Sequence, residues 1–186
     1  MFRKDARFAF ALKALRRRDY TGAEAAFSAL LEAESLGAPE RGVAFSVPTG
    51  NFGNVYAAHG ARRMGLPIGQ LVIGTNRNDI LARFINDGAM TIGAVEPSLS
   101  PSMDIQVSSN FERLYFELAR GDAARVAAAM AAFRRDGTLP ASRAEWQQAS
   151  ALFAAQRVDD AGILKEIAAT YRATGVILDP HSAVAV

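Results

Sequence analysis

Apolar positions change their period along the chain, and the changes divide it into segments. Over residues 1–34, Phe8, Leu12 and Leu15 recur at helical spacing, and a second run holds Ala25, Phe27, Leu30 and Leu31. Thr21 and Glu24 stand as a capping box ahead of that run, so the two runs predict a helical hairpin. Gly37, Ala38, Pro39 and Glu40 break it. Residues 43–47 then form an apolar run of strand length. A glycine-rich turn, Thr49-Gly50-Asn51-Phe52-Gly53-Asn54, follows and opens into a helical pattern over 54–64, with Gly65 placed at its C′ position. Residues 71–75 read as a second buried strand. Asn78 or Asp79 is placed to cap a short helix through Phe84 and Ile85 that ends near Gly88. Strand, helix, strand, helix in that order implies a right-handed crossover and a parallel sheet.

Downstream, Pro97, Ser98, Ser100, Pro101 and Ser102 mark an irregular segment. Ser109 and Glu112 repeat the capping-box spacing ahead of Phe111, Leu114, Tyr115 and Leu118. Helix is expected over 123–134, again from Ser142 with Glu145 three residues later, and over about 159–174, ended by Gly175. Val176, Ile177 and Leu178 predict a short final strand. The class expected is α/β: a parallel-sheet βαβ core with a helical insertion over about 109–174, preceded by the N-terminal hairpin.

Composition narrows the function. Half of the 186 residues are apolar, enough for a sizeable core, and the formal net charge is only +2. That balance does not suggest nucleic-acid binding, which needs a basic face. There is no cysteine, which excludes thiol catalysis, disulfides and cysteine-ligated zinc. No apolar run reaches the roughly 18 residues of a membrane span, and the N-terminus lacks a signal-peptide core. A cytoplasmic protein is the simplest expectation. The two histidines fall in separate elements, His59 within a helix, so no metal site is expected.

Three places carry candidate chemistry. The turn 49–54 follows a strand and starts a helix, where free N–H groups and the helix dipole favour an anion such as a phosphate. Its spacing is neither the Walker nor the dinucleotide pattern, and a purely structural turn competes with that reading. Within 98–113, Ser100, Asp104, Ser109 and Asn110 offer small polar groups for a carboxylate or phosphate, with Arg113 as a bidentate fork. The competing reading is a capped helix start with Arg113 in a surface pair. Asp179 and His181 invite an acid/base role, against a rigid turn set by Pro180. Ser182 offers a hydroxyl for a heteroaromatic ring nitrogen.

Several of these runs resemble threonine synthases. They are Ser-Leu-Gly-Ala-Pro-Glu-Arg (35–41), Val-Pro-Thr-Gly-Asn-Phe-Gly-Asn (47–54), Arg-Met-Gly-Leu-Pro-Ile (63–68), Thr-Asn-Arg-Asn-Asp-Ile-Leu (75–81), Ser-Pro-Ser-Met-Asp-Ile-Gln-Val-Ser-Ser-Asn-Phe-Glu-Arg-Leu (100–114) and Asp-Pro-His-Ser-Ala-Val (179–184). The resemblance covers about 35–186; residues 1–34 are unlike the family. It implies the tryptophan-synthase-like fold and a partial domain for pyridoxal 5′-phosphate. The implied reaction turns O-phospho-L-homoserine and water into L-threonine and phosphate. In that family the loop matching Gly50, Asn51, Phe52, Gly53 and Asn54 holds the cofactor phosphate. A threonine at the position of Ser182 contacts the pyridine nitrogen, a neutral partner that leaves the ring largely unprotonated.

The family's Schiff-base lysine, in a Phe-Lys-Asp motif upstream, has no counterpart. Lys4, Lys13 and Lys165 are the lysines of this chain, and none has that setting. A segment cut short at both ends and inactive alone is therefore expected. A complementing N-terminal fragment, or self-association through exposed sheet edges, would be its partner. The alternative is a non-catalytic module that binds a phosphorylated ligand or a protein.

Overall fold

The computed structural model describes residues 42–186. The expected hairpin over 1–34, the break at 37–40, the 35–41 motif, Lys4 and Lys13 lie outside them. The chain divides into two compact units. One holds Asn54–Leu71 with the described residues up to Phe45; the other holds Ser46–Gly53 and Val72–Val186.

Three strands, β1 (Val43–Pro48), β2 (Ile68–Thr75) and β3 (Phe153–Arg157), form one parallel sheet in the order β1-β2-β3. Helix α1 (Gly53–Arg63) connects the first two and buries Val55, His59 and Ala61. Gly65, at φ +100°, turns the chain out of the helix, and Leu66 N–H closes on Ala61 O at 3.1 Å. In the same unit Val43 N–H donates to Pro67 O at 3.2 Å.

The second unit contains the remaining helices. Helix α2 (Ile80–Asp87) buries Ile80, Leu81, Ala82, Phe84 and Ile85, five of its eight residues, and packs on β3. It stops at Gly88, φ +77°, where an added Cβ would lie 3.2 Å from the Trp146 ring. The Trp146 indole N–H donates to Ile85 O at 3.0 Å. Helix α3 (Phe111–Leu118) buries Phe111, Leu114, Tyr115 and Leu118, the i, i+3, i+4, i+7 stripe of a helix packed on one side. It meets α4 (Ala123–Asp136) and α5 (Arg143–Leu152). The capping box expected at Ser142 is present, and its Glu145 is buried, with Arg125 at 2.8 Å. Helix α6 (Asp160–Thr174) is capped by Asp159 and ends at Gly175. A last helical turn, α7, spans Pro180–Ala183.

Three expectations are corrected. The insertion over 109–174 is not all helix, because Phe153 ends α5 in extended conformation and begins β3. Phe153 and Ala155 are buried there, and Val158 N–H donates to Thr75 O at 2.9 Å, so burial beside β2 overrides the weak strand preference of alanine. The final strand expected at Val176–Leu178 does not form. Ile177 is 76% exposed, and β3 stands beside β2 instead. A β-branched run without a neighbouring ladder has nothing to pair with. Finally, Ser109 does not cap α3: the N-cap is Asn110, with no side-chain cap bond, and the Ser109 hydroxyl points to Asn51.

Candidate functional site

The glycine-rich turn is built around a buried aromatic ring. Phe52 is 1% exposed and packs edge-on against Phe111 and Phe153, with ring centroids 5.5 and 5.7 Å apart. Its backbone is left-handed, φ +64°, which costs a non-glycine residue roughly 1–2 kcal/mol. Burying the ring returns about 1.5–3 kcal/mol, and each edge-on pair adds about 0.5–1.5. The ring thus pays for the strained turn. Among the described residues no acceptor takes the N–H groups of Gly50, Asn51 or Phe52. Helix α1 begins at Gly53, and its first-turn N–H groups have no intrahelical acceptor. Asn54, its second residue, is exposed.

Residues 100–110 hold this turn in place. A Cβ at Gly50 would lie 3.0 Å from Met103 Cα and 3.3 Å from Ser102 O, so only glycine lets the two chains approach. Asn51 is fastened at both ends. Its Oδ1 accepts from the N–H and the hydroxyl of Ser109, each at 2.7 Å, and its carbonyl accepts from Asn110 Nδ2 at 3.0 Å. Arg113 is exposed and, among the described residues, its side chain has no ion-pair partner.

Ser100 and Asp104 lie in a polar knot at the C-terminal end of β2. Asn76 is fully buried; its Nδ2 reaches Ser98 Oγ at 2.8 Å, Ser100 Oγ at 3.0 Å and Asp104 Oδ1 at 2.8 Å. Asn78 Nδ2 also donates to Asp104 Oδ1, at 3.0 Å. Ser98 donates to both oxygens of that carboxylate, through its hydroxyl at 2.6 Å and its N–H at 2.9 Å. Both predicted residues are thereby engaged within the chain. Asn76 was not singled out from the sequence. A buried asparagine directly after an apolar strand was the available signal, since a buried amide demands partners.

The C-terminal turn completes the cluster. Asp179 caps α7, accepting from the N–H groups of His181 at 2.9 Å and Ser182 at 3.3 Å and from the Ser182 hydroxyl at 2.5 Å. These bonds, the Ser182 hydroxyl first, hold the exposed Asp179 carboxyl down at about 2. Asp179 also lies 3.2 Å from His181 Nδ1, and His181 Nε2 accepts from Ser102 N–H at 3.4 Å. Met103, Ile163, Ala183 and Val184 share one apolar cluster beneath. The second unit therefore gathers Gly50–Gly53, the 100–110 segment and Ser182 through the backbone of Ser102 and Met103. Among the described residues no group of His, Asp and Glu is placed to hold a metal ion, and no helix is long and apolar enough to cross a membrane.

No protein-family model matches the chain. It is 50% identical over 151 residues to the threonine synthase of Pseudomonas aeruginosa, an alignment covering 81% of this chain and 32% of that protein. With the threonine synthase of Saccharomyces cerevisiae it shares 38% over 164 residues, covering 81% and 32%. Among solved structures, pyridoxal-phosphate-bound threonine synthase from Brucella melitensis superposes with a TM-score of 0.81 at 44% identity, covering 89% of this chain and 35% of that one. The yeast enzyme gives 0.79 at 35% identity over the same shares. The chain spans about one third of the length of the curated relatives it matches. In sequence and in fold it is similar to that third of a threonine synthase.

Proposed function

We propose that this chain seats the phosphate of pyridoxal 5′-phosphate and serves a threonine synthase reaction, the conversion of O-phospho-L-homoserine and water to L-threonine and phosphate. The observation that supports it is the turn at Gly50–Gly53: amides without an acceptor among the described residues, at a helix start, pinned by residues 100–110. A phosphate fits this donor set. Gly50 presents bare backbone, Phe52 anchors the turn through its buried ring, and the exposed Gly53 and Asn54 start α1. Asn51 and Asn110 shape the turn through their mutual bond. When bound, the cofactor supplies an electron sink for charge developing on substrate carbons.

Ser182 is the residue we assign to the ring nitrogen. Its hydroxyl, held by Asp179, would be a neutral partner for that nitrogen. Asn110 and Arg113 are assigned to the substrate's anionic groups, the Arg113 side chain having no ion-pair partner among the described residues, while Ser109, whose N–H and hydroxyl both go to Asn51, holds the turn behind them. Ser100 and Asp104 act on them from behind, by holding the 98–104 segment.

Lys165, the lysine among the described residues, lies exposed on α6. The reading therefore has the chain bind the cofactor without a covalent anchor and turn nothing over alone, a second chain supplying the lysine. A cytoplasmic location belongs to the same reading. The test is a titration of pyridoxal 5′-phosphate into the full chain, followed by phosphorus NMR. Saturable binding that weakens at least about tenfold in Gly50→Val, a loss near 1.4 kcal/mol, is expected. Absence of binding, or binding indifferent to Gly50→Val, overturns the assignment. Phosphate release from O-phospho-L-homoserine by the chain alone overturns the need for a second chain.

A further inference from the structure

We infer that the outer face of α6 is a docking surface for a partner helix that carries carboxylates along one side. Helix α6 has 15 residues, and Ile163 is the buried one among them. Ile163 and the partly buried Ile167 pack with Met103, Ala183 and Val184. That is the inward stripe of a helix lying on a protein surface. A second apolar stripe runs beside it. Ala161, Leu164, Ala168 and Tyr171 stand three, four and three residues apart, so they share one side of the helix. All four are exposed, Leu164 by 58% and Tyr171 by 54%. Polar residues are the ordinary occupants of such a side.

The spacing is that of alternating a and d positions in a heptad. A surface of that period is complementary to another helix. The two alanines leave room for a partner's backbone, and Leu164 and Tyr171 are the knobs that enter between its side chains. Apolar side chains grouped in an exposed stripe, rather than scattered singly, mark a surface that meets something else.

Charge says what the partner carries. Lys165 and Arg172 follow Leu164 and Tyr171 by one residue each, and both are exposed. They stand seven residues apart, so they form a ridge along the stripe, on the side away from Ile163 and Ile167. Among the described residues neither has an ion-pair partner. The carboxylates of the same helix are engaged elsewhere: Asp160 with Arg77 at 3.1 Å and with Leu99 N–H at 3.2 Å, and Glu166 with the Thr170 hydroxyl at 2.9 Å. Carboxylates at the flanking positions of a partner helix would complete both pairs at the rim while the stripe is buried. Bases there would meet like charge. A second copy of α6 lying antiparallel sets its own basic ridge opposite this one. Lying parallel, it offers Asp160, Ile167 and Thr174, whose one carboxylate is already engaged. No residue assigned to the cofactor or the substrate belongs to this face, so it stands independently of that reading.

The experiment titrates the isotope-labelled full chain with a synthetic helix of about four heptads, leucine at a and d and glutamate at e and g, and reads backbone amide shifts. Glutamate at e and g also keeps the peptide from pairing with itself. Saturable shifts centred on residues 161–175 are expected. The same peptide with lysine at e and g should bind at least about fivefold more weakly, because two rim attractions become two repulsions. Lys165→Glu combined with Arg172→Glu should invert that order. Leu164→Asp, at an exposed position, should abolish binding of either peptide while amide shifts outside α6 stay as they were. Absence of saturable shifts in the wild-type chain overturns the inference, as do shifts centred elsewhere. Equal binding of the two peptides overturns it as well. Shifts over 161–175 that depend on the concentration of the chain alone would name a second copy as the occupant and overturn the acidic partner. Should Leu164→Asp fail to fold, the peptide pair and the charge-reversed variant decide.

Discussion

Replacing Asn76 by alanine removes the centre of the knot that fastens residues 96–104 to the end of β2. The side chain is fully buried and sits among six contacts: Ser98 Oγ, Ser100 O, Ser100 Oγ and Asp104 Oδ1 around its Nδ2, and the N–H and Nδ2 of Asn78 on its Oδ1. Two amide protons cannot satisfy four acceptors at once, so these amount to two donated and two accepted bonds. At about 1 kcal/mol each, with the bond to Asp104 worth more because the acceptor is charged, the sum is about 4–5 kcal/mol. Water entering the space recovers part of it, and a loss of about 3–4 kcal/mol is expected. Asn76→Asp should be worse than alanine, because it sets a second carboxylate where a donor lies 2.8 Å from Asp104. Urea unfolding followed by the fluorescence of Trp146, the single tryptophan, measures both. A loss below 1 kcal/mol for the alanine variant, or a milder effect of aspartate, would refute the knot as the fastening.

Two further outcomes follow from the C-terminal turn. Gly74→Ala places a Cβ 2.7 Å from Val184 O and 3.3 Å from Ala185 Cα, so the backbone after α7 must move; overpacking of this kind costs roughly 1–3 kcal/mol. Unfolding midpoints and the amide shifts of 182–185 report it, and an unchanged pair of spectra would contradict the close approach. The Asp179 carboxyl, depressed to about 2 by the Ser182 hydroxyl and then by backbone N–H groups, lends stability to α7 that is complete above the ordinary carboxylate value of about 3.9. That contribution falls away as pH drops through about 2. Carbon NMR of the carboxyl gives the midpoint directly, and a value near 4 would mean the capping bonds do not form in solution.

The βα start of the sheet was legible because each signal was local. Apolar runs, the turn glycines and Gly65, Gly88 and Gly175 mark the ends of elements without help from distant residues. The capping box at Ser142 and Glu145 was equally local, and it forms. The same reasoning failed at Ser109, where an identical spacing is broken by a distant acceptor: Asn51 Oδ1 takes the hydroxyl that a cap would use. It failed again at β3. Phe-Ala-Ala-Gln-Arg has little strand preference of its own and is extended only because β2 lies beside it. Val176–Leu178 shows the converse, strong preference without a ladder. For the candidate site, residue types pointed to the turn 49–54, proposed as a phosphate seat, but not to Asn76, Asn78 and Ser98 as the brace behind the 98–104 segment. Ser100 and Asp104 look like ligand groups in sequence because the same polar atoms serve a ligand or a neighbour equally well.

Phe52 divides the labour of the turn in a way that bears on how freely its sequence can drift. The Phe52 side chain does the anchoring, and the surface of the turn belongs to its exposed neighbours Asn51 and Gly53, so under the proposed function what it offers a ligand is mainly their peptide groups. Recognition of the proposed phosphate there would be indifferent to side-chain identity, whereas formation of the turn is strict. The residue must tolerate a left-handed backbone and still fill the space between Phe111 and Phe153. Glycine meets the first demand and forfeits the second; a β-branched residue meets neither. Any copy of this chain that keeps the turn is thus under pressure at a position that touches no ligand with its side chain, while exposed neighbours such as Asn54 are free to vary as far as the fold is concerned.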